Sequence, residues 1–245
     1  MIDLGQILII DLKAKMAHFR LPDTTVTHAS YPFIPRTTLH GLLASILGLE
    51  DLSQASDGSG SAVNFVGLRL MSKVASSFHG MSMLGKGWAG SGSDSFNRPV
   101  SIEVLQNPYY RVFYTGSHFE RLRDMVRANR AVYHTYLGVC YCPVFPRYVG
   151  SEFFSDIGCS FAGPLRVSSV VPSPAIKRIN PAPGHIYARA GGFHYEHLGD
   201  REFRGTLNIV YEVNGKSLVI QPNPDADESK VRFVRTESNE VICLW

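Results

Sequence analysis

The sequence has little of what several classes of protein require. Only four of its 245 residues are cysteine, and their spacing fits no paired metal-ligand pattern: Cys140, Cys142, Cys159 and Cys243. We therefore expect reduced, partly buried thiols and no zinc site. The sequence has no P-loop, no catalytic-triad motif and no paired-carboxylate signature, so common nucleotidases and hydrolases are not indicated.

Long apolar runs and a large charge excess are also missing. The run Ile7–Ile10 is too short to span a bilayer and follows no basic leader, so we expect a cytoplasmic protein without a membrane anchor. Hydrophobic residues make up 44% and charged residues 18% of the chain, and the formal net charge is +3. These values describe an ordinary globular protein whose mildly basic character is compatible with an RNA partner without requiring one.

One amphipathic helix is predicted within the stretch from 17 to 48. Its apolar residues recur at helical spacing up to Gly48, which ends it: Leu39, Leu42, Leu43, Ile46 and Leu47. Thr37 or Thr38 is expected to cap its start through a hydroxyl group. Unpaired N–H groups, these hydroxyls and the Arg36 guanidinium make the first turn suitable for a phosphate.

Aromatic and basic residues alternate just upstream of this helix. His18, Phe19 and Arg20 are consecutive, and Tyr31 follows, so rings for bases lie near cations for a phosphate backbone, as single-stranded RNA requires. The alternative is that Phe19 and Tyr31 belong to the core and that Arg36 pairs with a carboxylate or a helix end.

Two segments in this region resemble a known family. MAHFRLPDTT and YPFIPRTTLHGLLASILG are similar to the N-terminal signature of the CRISPR-associated Cas-five family, which belongs to the RAMP superfamily of RNA-binding proteins. Members of that family are subunits of type I CRISPR surveillance complexes (Cascade). The resemblance implies RNA contacts at seven positions of this chain: His18, Phe19, Arg20, Tyr31, Arg36, Thr37 and Thr38.

The predicted fold class is α+β, with a ferredoxin-like or RRM-like RAMP domain at 1–150 and a small β-rich region at 151–245. A buried strand at Leu4–Leu12, the helix, and an alternating strand at Val63–Val74 form the opening half of such a unit. The second strand is expected to have a basic outer face that includes Lys73. The open face of the sheet would then serve as an RNA platform.

A glycine-rich segment follows, with Lys86 and Trp88 among four glycines. The resemblance implies that the region at about 76–98 is an extended thumb that packs on RNA and on a neighbouring backbone subunit. A disordered surface loop is the alternative. Arg98, at the base of the segment, is an RNA candidate, and strands are predicted at Phe96–Leu105 and Tyr109–Tyr114.

A second helix is predicted from a capping box of Ser117 and Glu120 to about Arg130. Its arginines form either a solvated face or a contact to phosphates or the next subunit. Tyr133 and Tyr136 follow, in a segment that resembles the family's Y-x-x-YLG motif. The resemblance places this turn close to the 5′ handle of the CRISPR RNA, where the tyrosines would stack on bases.

The remaining chain reads as short strands and loops. Asn214 and Gly215 predict a two-residue hairpin between TLNIVYEV and KSLVIQ. Arg189, Gly191, Gly192 and Glu196 loosely resemble the family's C-terminal pattern. The histidines of HYEH, at 194–197, are not at the helical zinc spacing and lie in a predicted glycine-flanked loop, so a metal is not expected.

Together these features predict a noncatalytic RNA-binding subunit of a type I Cascade, most like the I-B branch, that needs no cofactor. Its partners would be the CRISPR RNA 5′ handle, Cas-seven-type backbone subunits, a large Cas-eight-type subunit and target DNA near the protospacer-adjacent motif. The first alternative is a metal-independent endoribonuclease of the type I-C kind, using His, Tyr and Lys groups. The second alternative is an RRM-like RNA binder outside any CRISPR complex.

Overall fold

The computed structural model describes residues 5–24, 27–53, 64–85, 96–200 and 202–245. The chain is mostly β, with 50% strand and 11% helix, so the predicted α+β class is shifted toward β. The elements are β1 Gly5–Lys13, β2 Met16–Ala17, β3 Thr27–His28, α1 Arg36–Leu47, β4 Asn64–Leu70, β5 Ser76–Gly85, β6 Phe96–Gln106, β7 Tyr109–Gly116, α2 Phe119–Arg127, β8 Arg147–Asp156, β9 Leu165–Val167, β10 Val171–Pro172, β11 Ile176–Ile179, β12 Tyr187–Gly199, β13 Glu202–Glu212, β14 Leu218–Pro222, β15 Arg232–Thr236 and β16 Val241–Leu244.

A six-stranded antiparallel sheet, in the order β16-β15-β8-β1-β7-β4, forms the centre of the fold. Its outer face packs against the helices, because alternate residues of β1 such as Leu8 and Ile10 are fully buried with Leu39 and Leu43 of α1. The predicted buried strand and the predicted amphipathic helix are therefore confirmed.

The two edges of this sheet meet. Val66 and Trp245 exchange both backbone hydrogen bonds, at 3.1 and 2.9 Å, so the sheet curls back toward itself. Its concave side encloses a second apolar cluster of buried residues: Ile7, Ile9, Phe65, Phe113, Val234, Ile242 and Leu244. This finding corrects two expectations, since the sheet does not offer an open face to RNA and β4 is not half-exposed. Six of the seven residues of β4 are buried.

A charged network lies on the same concave side. The Asp11 carboxylate is buried and accepts hydrogen bonds from Arg111 Nε and Nη2, at 2.8 and 3.1 Å, and from the Tyr109 hydroxyl at 2.7 Å. Arg147 lies 3.5 Å away. Burial alone would raise the pKa of Asp11, but these hydrogen bonds and positive charges hold it below its usual value.

The helix ends were only partly predicted. Helix α1 follows Pro35, and no side chain caps it, so the predicted Thr37 or Thr38 cap is wrong. Proline supplies the extended backbone before the first turn without a capping hydroxyl. Gly48 ends the helix with φ of 73°, as predicted. Helix α2 begins after His118 without a side-chain cap, so the predicted capping box is also wrong.

The C-terminal part contributes to both the central sheet and smaller ones. In the six-stranded sheet, β15 pairs with β8 on one side and with β16 on the other. The domain boundary predicted at residue 150 falls inside β8. A long hairpin of β12 and β13 packs over the start of α1, where Phe193 stacks on Tyr31 and Phe33 at 4.5 and 5.2 Å between ring centroids.

The predicted hairpin at Asn214 and Gly215 is wrong, although a turn does occur there. Strand β13 pairs with β10 and β12, whereas β14 pairs with β9 and β11. The Glu212 carboxylate holds the turn by accepting the backbone N–H groups of Asn214 and Lys216, each at 2.8 Å. A local carboxylate therefore replaces the cross-strand bonds that the dipeptide suggested.

Candidate nucleic-acid interface

An exposed aromatic surface is built from residues 133–145, which we call the tyrosine hairpin. Its two arms pair through Leu137 N to Cys142 O at 2.8 Å and Val144 N to Thr135 O at 3.1 Å. The inward side chains are buried: Thr135, Leu137, Cys142 and Val144. The outward ones are exposed, by 61% for Tyr133, 44% for Tyr136, 41% for Tyr141 and 84% for Phe145.

This surface is fixed to the rest of the fold at both ends. Tyr133 N donates to Ser45 O, near the end of α1, at 3.0 Å, and His18 N donates to Leu137 O at 3.2 Å. Rings held on an ordered backbone lose little freedom when a ligand stacks on them. The arrangement therefore suits planar groups such as nucleobases.

Gly138 brings the tyrosine hairpin into direct contact with the segment His18–Arg20. Its φ is +87°, and a Cβ atom placed on it would lie 2.0 Å from the His18 carbonyl oxygen. Only glycine fits this contact. The close approach at Gly138 is thus to the segment that follows β2.

Basic residues lie beside this contact. The side chains of Arg20 and Arg98 are exposed, and Arg98 lies near the start of β6, opposite Met83 of β5. Burial and the positive charges of Arg20 and Arg98 lower the pKa of His28. Arg20 and Arg98 therefore lie close enough to His28 to share one electrostatic environment, which is attractive to a phosphate backbone.

The Glu103 carboxylate near His18 is already engaged in hydrogen bonds. Glu103 accepts hydrogen bonds from Ser30 N at 2.9 Å and from the Ser76 hydroxyl at 2.7 Å. His18 is buried and donates through Nδ1 to the Glu103 carbonyl oxygen at 2.7 Å. Burial and Arg20 lower the pKa of His18, so its ring is a neutral structural group.

Two of the predicted stacking residues are enclosed. Phe19 is 3% and Tyr31 is 5% exposed, and the Tyr31 hydroxyl donates to Gly192 O at 2.6 Å. The core and Phe193 cover the faces of the two rings, so both residues belong to the core, as the alternative expected. Neither ring is accessible to a base.

Arg36 is also buried. Its Nη1 donates to Tyr195 O at 2.7 Å, Nη2 lies 3.4 Å from Asn64 O, and its guanidinium stacks 4.6 Å from the centroid of the Tyr195 ring. Thr37 and Thr38 are partly exposed beside it. The β12–β13 hairpin thus occupies the Arg36 guanidinium, which was expected to meet a phosphate.

The start of α1 and the tyrosine hairpin do not form one continuous surface. Tyr133 is attached near the C-terminal end of α1, whereas Arg36 is the first residue of this 12-residue helix. A helix of that length spans about 18 Å. The predicted RNA contacts at Arg36, Thr37 and Thr38 therefore lie near the opposite end of α1 from Tyr133.

A cleft of about 480 Å³ surrounds Arg36, lined also by Thr37, Thr38, His40, Asp51 and His197. His197 Nδ1 lies 3.5 Å from the Asp51 carboxylate. Burial, together with the nearby Arg36 charge, lowers the pKa of His40 to about 3, so its ring is neutral. The cleft is lined by one buried cation and by carboxylates. Because both signs of charge are present, its lining does not favour an anionic ligand.

Substituting Arg36 tests its structural role. Arg36→Ala is expected to lower the free energy of unfolding by roughly 1–3 kcal/mol, because the Tyr195 carbonyl loses its buried donor. Thr37→Ala should change it by less than about 0.5 kcal/mol, since Thr37 caps nothing. Chemical denaturation of both variants checks this, and equal stability of the two would contradict the role.

Lys73 lies exposed between β4 and β5, as expected for an RNA contact, but the predicted contacts Lys86 and Trp88 lie outside the described residues. The histidines of HYEH lie on strand β12 and not in a loop, and His194 stacks on Phe203 with centroids 4.2 Å apart. Within the described ranges no cluster of three or more His, Cys, Asp or Glu side chains could hold a metal ion.

Sequence reasoning missed Tyr141, Phe145 and His28. Exposed and buried side chains alternate along 141–145 in the structure, but the sequence YCPVF has no alternation of polar and apolar residues that could have identified the outward aromatics. His28 lies in the short strand β3, which pairs in parallel with β6, and nothing local in the sequence indicates that partner.

Comparison with known family models gives a match in the N-terminal part of the chain. Residues 7–64 match the family model for CRISPR-associated protein (Cas_Cas5). No curated protein matches the sequence. None of the described helices is long and apolar enough to cross a bilayer.

Among solved structures, the fold is similar to that of a CRISPR protein from Archaeoglobus fulgidus. The TM-score is 0.52 at 10% identity, over 97% of this chain and 98% of that one. A chain of a CRISPR RNA-guided surveillance complex matches with a TM-score of 0.48 at 12% identity, over 86% and 91% of the two chains. The first similarity shows that the fold, over nearly its whole length, is one found among CRISPR proteins.

Proposed function

We propose that this chain is a noncatalytic RNA-binding subunit of a type I CRISPR Cascade effector, most like the I-B branch, acting in antiviral defence in the cytoplasm. The observation that carries the proposal is the rigid tyrosine hairpin beside Arg20 and Arg98, in a chain whose residues 7–64 match a CRISPR-associated family model. Exposed rings supply stacking surfaces, and exposed guanidinium groups supply phosphate contacts.

The ligand would be the 5′ handle of the CRISPR RNA. Bases of a single-stranded handle would stack on Tyr133 and Tyr136, while Arg20, Arg98 and Lys73 would neutralise phosphates. The subunit would then cap the filament of Cas-seven-type backbone subunits and lie next to the large Cas-eight-type subunit, near the protospacer-adjacent motif of the target DNA. Guide pairing, and not this chain, would read the target sequence.

Fluorescence anisotropy with single-stranded repeat-derived RNA tests the proposal. Tyr136→Ala should weaken binding roughly tenfold, since stacking contributes about 1–3 kcal/mol per base. Arg20→Ala should weaken binding and reduce the slope of log affinity against log salt by about one. Thermal melts should show that both variants remain folded.

Matched controls come from elsewhere on the surface. Phe161 is 40% exposed, and Arg235 on β15 bonds to Asn239, so Phe161→Ala and Arg235→Ala should leave RNA affinity unchanged. Equal losses in control and interface variants would overturn the assignment. Defined cleavage of the same RNA in the presence of EDTA would instead support the endoribonuclease alternative, and its absence would support a noncatalytic role.

A further inference from the structure

Phe145, at the end of the tyrosine hairpin, is the most exposed large apolar side chain on the described part of the chain. Tyr136 pairs with Pro143 across the hairpin, so Phe145, two residues further along, lies on the same outward side as Tyr136. Diagonal neighbours of this kind are about 7–8 Å apart. An RNA strand with a base on Tyr136 would therefore bring a neighbouring nucleotide to Phe145.

Arg130 lies beside the Phe145 ring. The two residues line one cavity of about 90 Å³ between the end of α2 and the tyrosine hairpin. Arg130 N donates to Met125 O, in α2, at 2.9 Å. Two residues further on, Val132 N donates to Ile46 O, in α1, at 3.1 Å. Backbone bonded to both helices thus holds a guanidinium group next to an exposed ring.

The same part of the chain is rich in positive charge. No acidic residue occurs from 125 to 151, a stretch that contains Arg127, Arg130 and Arg147. Arg147 lies 3.5 Å from the Asp11 carboxylate. Arg127 and Arg130 are exposed, and within the described ranges neither side chain has an ion pair or a hydrogen bond. Both guanidinium groups can therefore bind a phosphate.

We propose that the RNA-binding surface continues past Tyr136 to the end of α2, where a further base stacks on Phe145 and adjoining phosphates bind Arg130 and Arg127. An exposed ring next to unpaired cations provides the two contacts that single-stranded nucleic acid makes. The inference rests on the proposed RNA-binding function and adds to it a third stacking position with its own phosphate contacts.

Fluorescence anisotropy with single-stranded repeat-derived RNA tests the stacking contact. Phe145→Ala should weaken binding roughly tenfold, and Phe145→Tyr should bind like the wild type because it keeps the ring. Phe145→Leu should lose as much affinity as the alanine variant, since leucine keeps apolar surface but has no ring to stack. A leucine variant with wild-type affinity would overturn the stacking contact.

The salt dependence of the same binding tests the phosphate contact. Arg130→Ala should reduce the slope of log affinity against log salt by about 0.7, the value for one phosphate contact to a single strand. Arg123→Ala is the matched control on α2, because Arg123 is already paired with Glu120 and Asp124 and should leave the slope unchanged. Equal slope changes in the two variants would overturn the assignment of Arg130.

Shortening the RNA one nucleotide at a time locates the added position. The loss caused by Phe145→Ala should disappear once the RNA is too short to reach this ring, whereas the loss caused by Tyr136→Ala should remain. If Tyr136→Ala weakens binding while the Phe145 and Arg130 variants bind like the wild type, this inference is overturned and the proposed function stands. If none of these variants changes RNA affinity, both are overturned.

Discussion

Replacing Gly138 by alanine is expected to lower the free energy of unfolding by roughly 3 kcal/mol or more. The added Cβ would lie 2.0 Å from the His18 carbonyl oxygen and 2.9 Å from Phe19 Cδ1, at a φ of +87°. The carbonyl belongs to backbone that also bonds to Leu137, so it cannot move without breaking that bond. The substitution therefore strains the close contact between the tyrosine hairpin and the segment His18–Arg20.

Denaturant unfolding of Gly138→Ala beside Gly41→Ala measures this effect. Gly41 lies in α1 with open space around its Cβ position, so alanine there should stabilise the fold by up to about 1 kcal/mol. If Gly138→Ala unfolds at the wild-type denaturant concentration, the close approach is not present in solution. Its RNA affinity, measured where the variant is folded, should fall as well.

Asp11→Asn is expected to cost roughly 2–4 kcal/mol of stability, because it leaves the Arg111 guanidinium beside the concave core without its buried charge partner. The neutral amide also loses the charge that attracts Arg147. Asp124→Asn is a matched control, since Asp124 is an exposed partner of Arg123 on α2 and should have little effect.

The same carboxylate gives a pH dependence of defined sign. The pKa of Asp11 is lower in the folded protein than in the unfolded chain, because its bonds to Arg111 and Tyr109 outweigh burial. Its stabilisation is thus complete above the unfolded-state pKa and is lost as pH falls through the folded-state pKa. Unfolding free energies measured between neutral and acidic pH should fall less steeply for Asp11→Asn than for the wild type; parallel curves would contradict this.

Local patterns in the sequence predicted most of the first half of the fold. The continuous apolar run of β1, the helical spacing of Leu39 to Leu47 and the stop at Gly48 are each short-range patterns in the sequence. The closure of the sheet could not be predicted from such patterns, because it depends on the pairing of Val66 with Trp245, which are distant in sequence. The hairpin predicted at Asn214–Gly215 is wrong for a related reason. Strand β13 pairs with the long strand β12 and not with the strand that follows the turn.

The candidate site was predictable to a similar degree. Tyr133, Tyr136, Arg20 and Arg98 have the exposure that the sequence suggested. Arg36 and Tyr31 are buried instead of exposed. The β12–β13 hairpin, which follows them by over 150 residues in the chain, covers both side chains and accepts their hydrogen bonds. Burial imposed by a distant segment cannot be seen in the composition of the segment that it covers.

Photo-crosslinking tests the central claim most directly. Repeat-derived RNA carrying 4-thiouridine should be crosslinked to the full chain and the modified peptides mapped by mass spectrometry. The account predicts adducts within the tyrosine hairpin, at Tyr133 or Tyr136, and beside Arg20 or Arg98. Adducts confined to the cleft lined by Arg36 and His197, or an absence of adducts at saturating RNA, would contradict it.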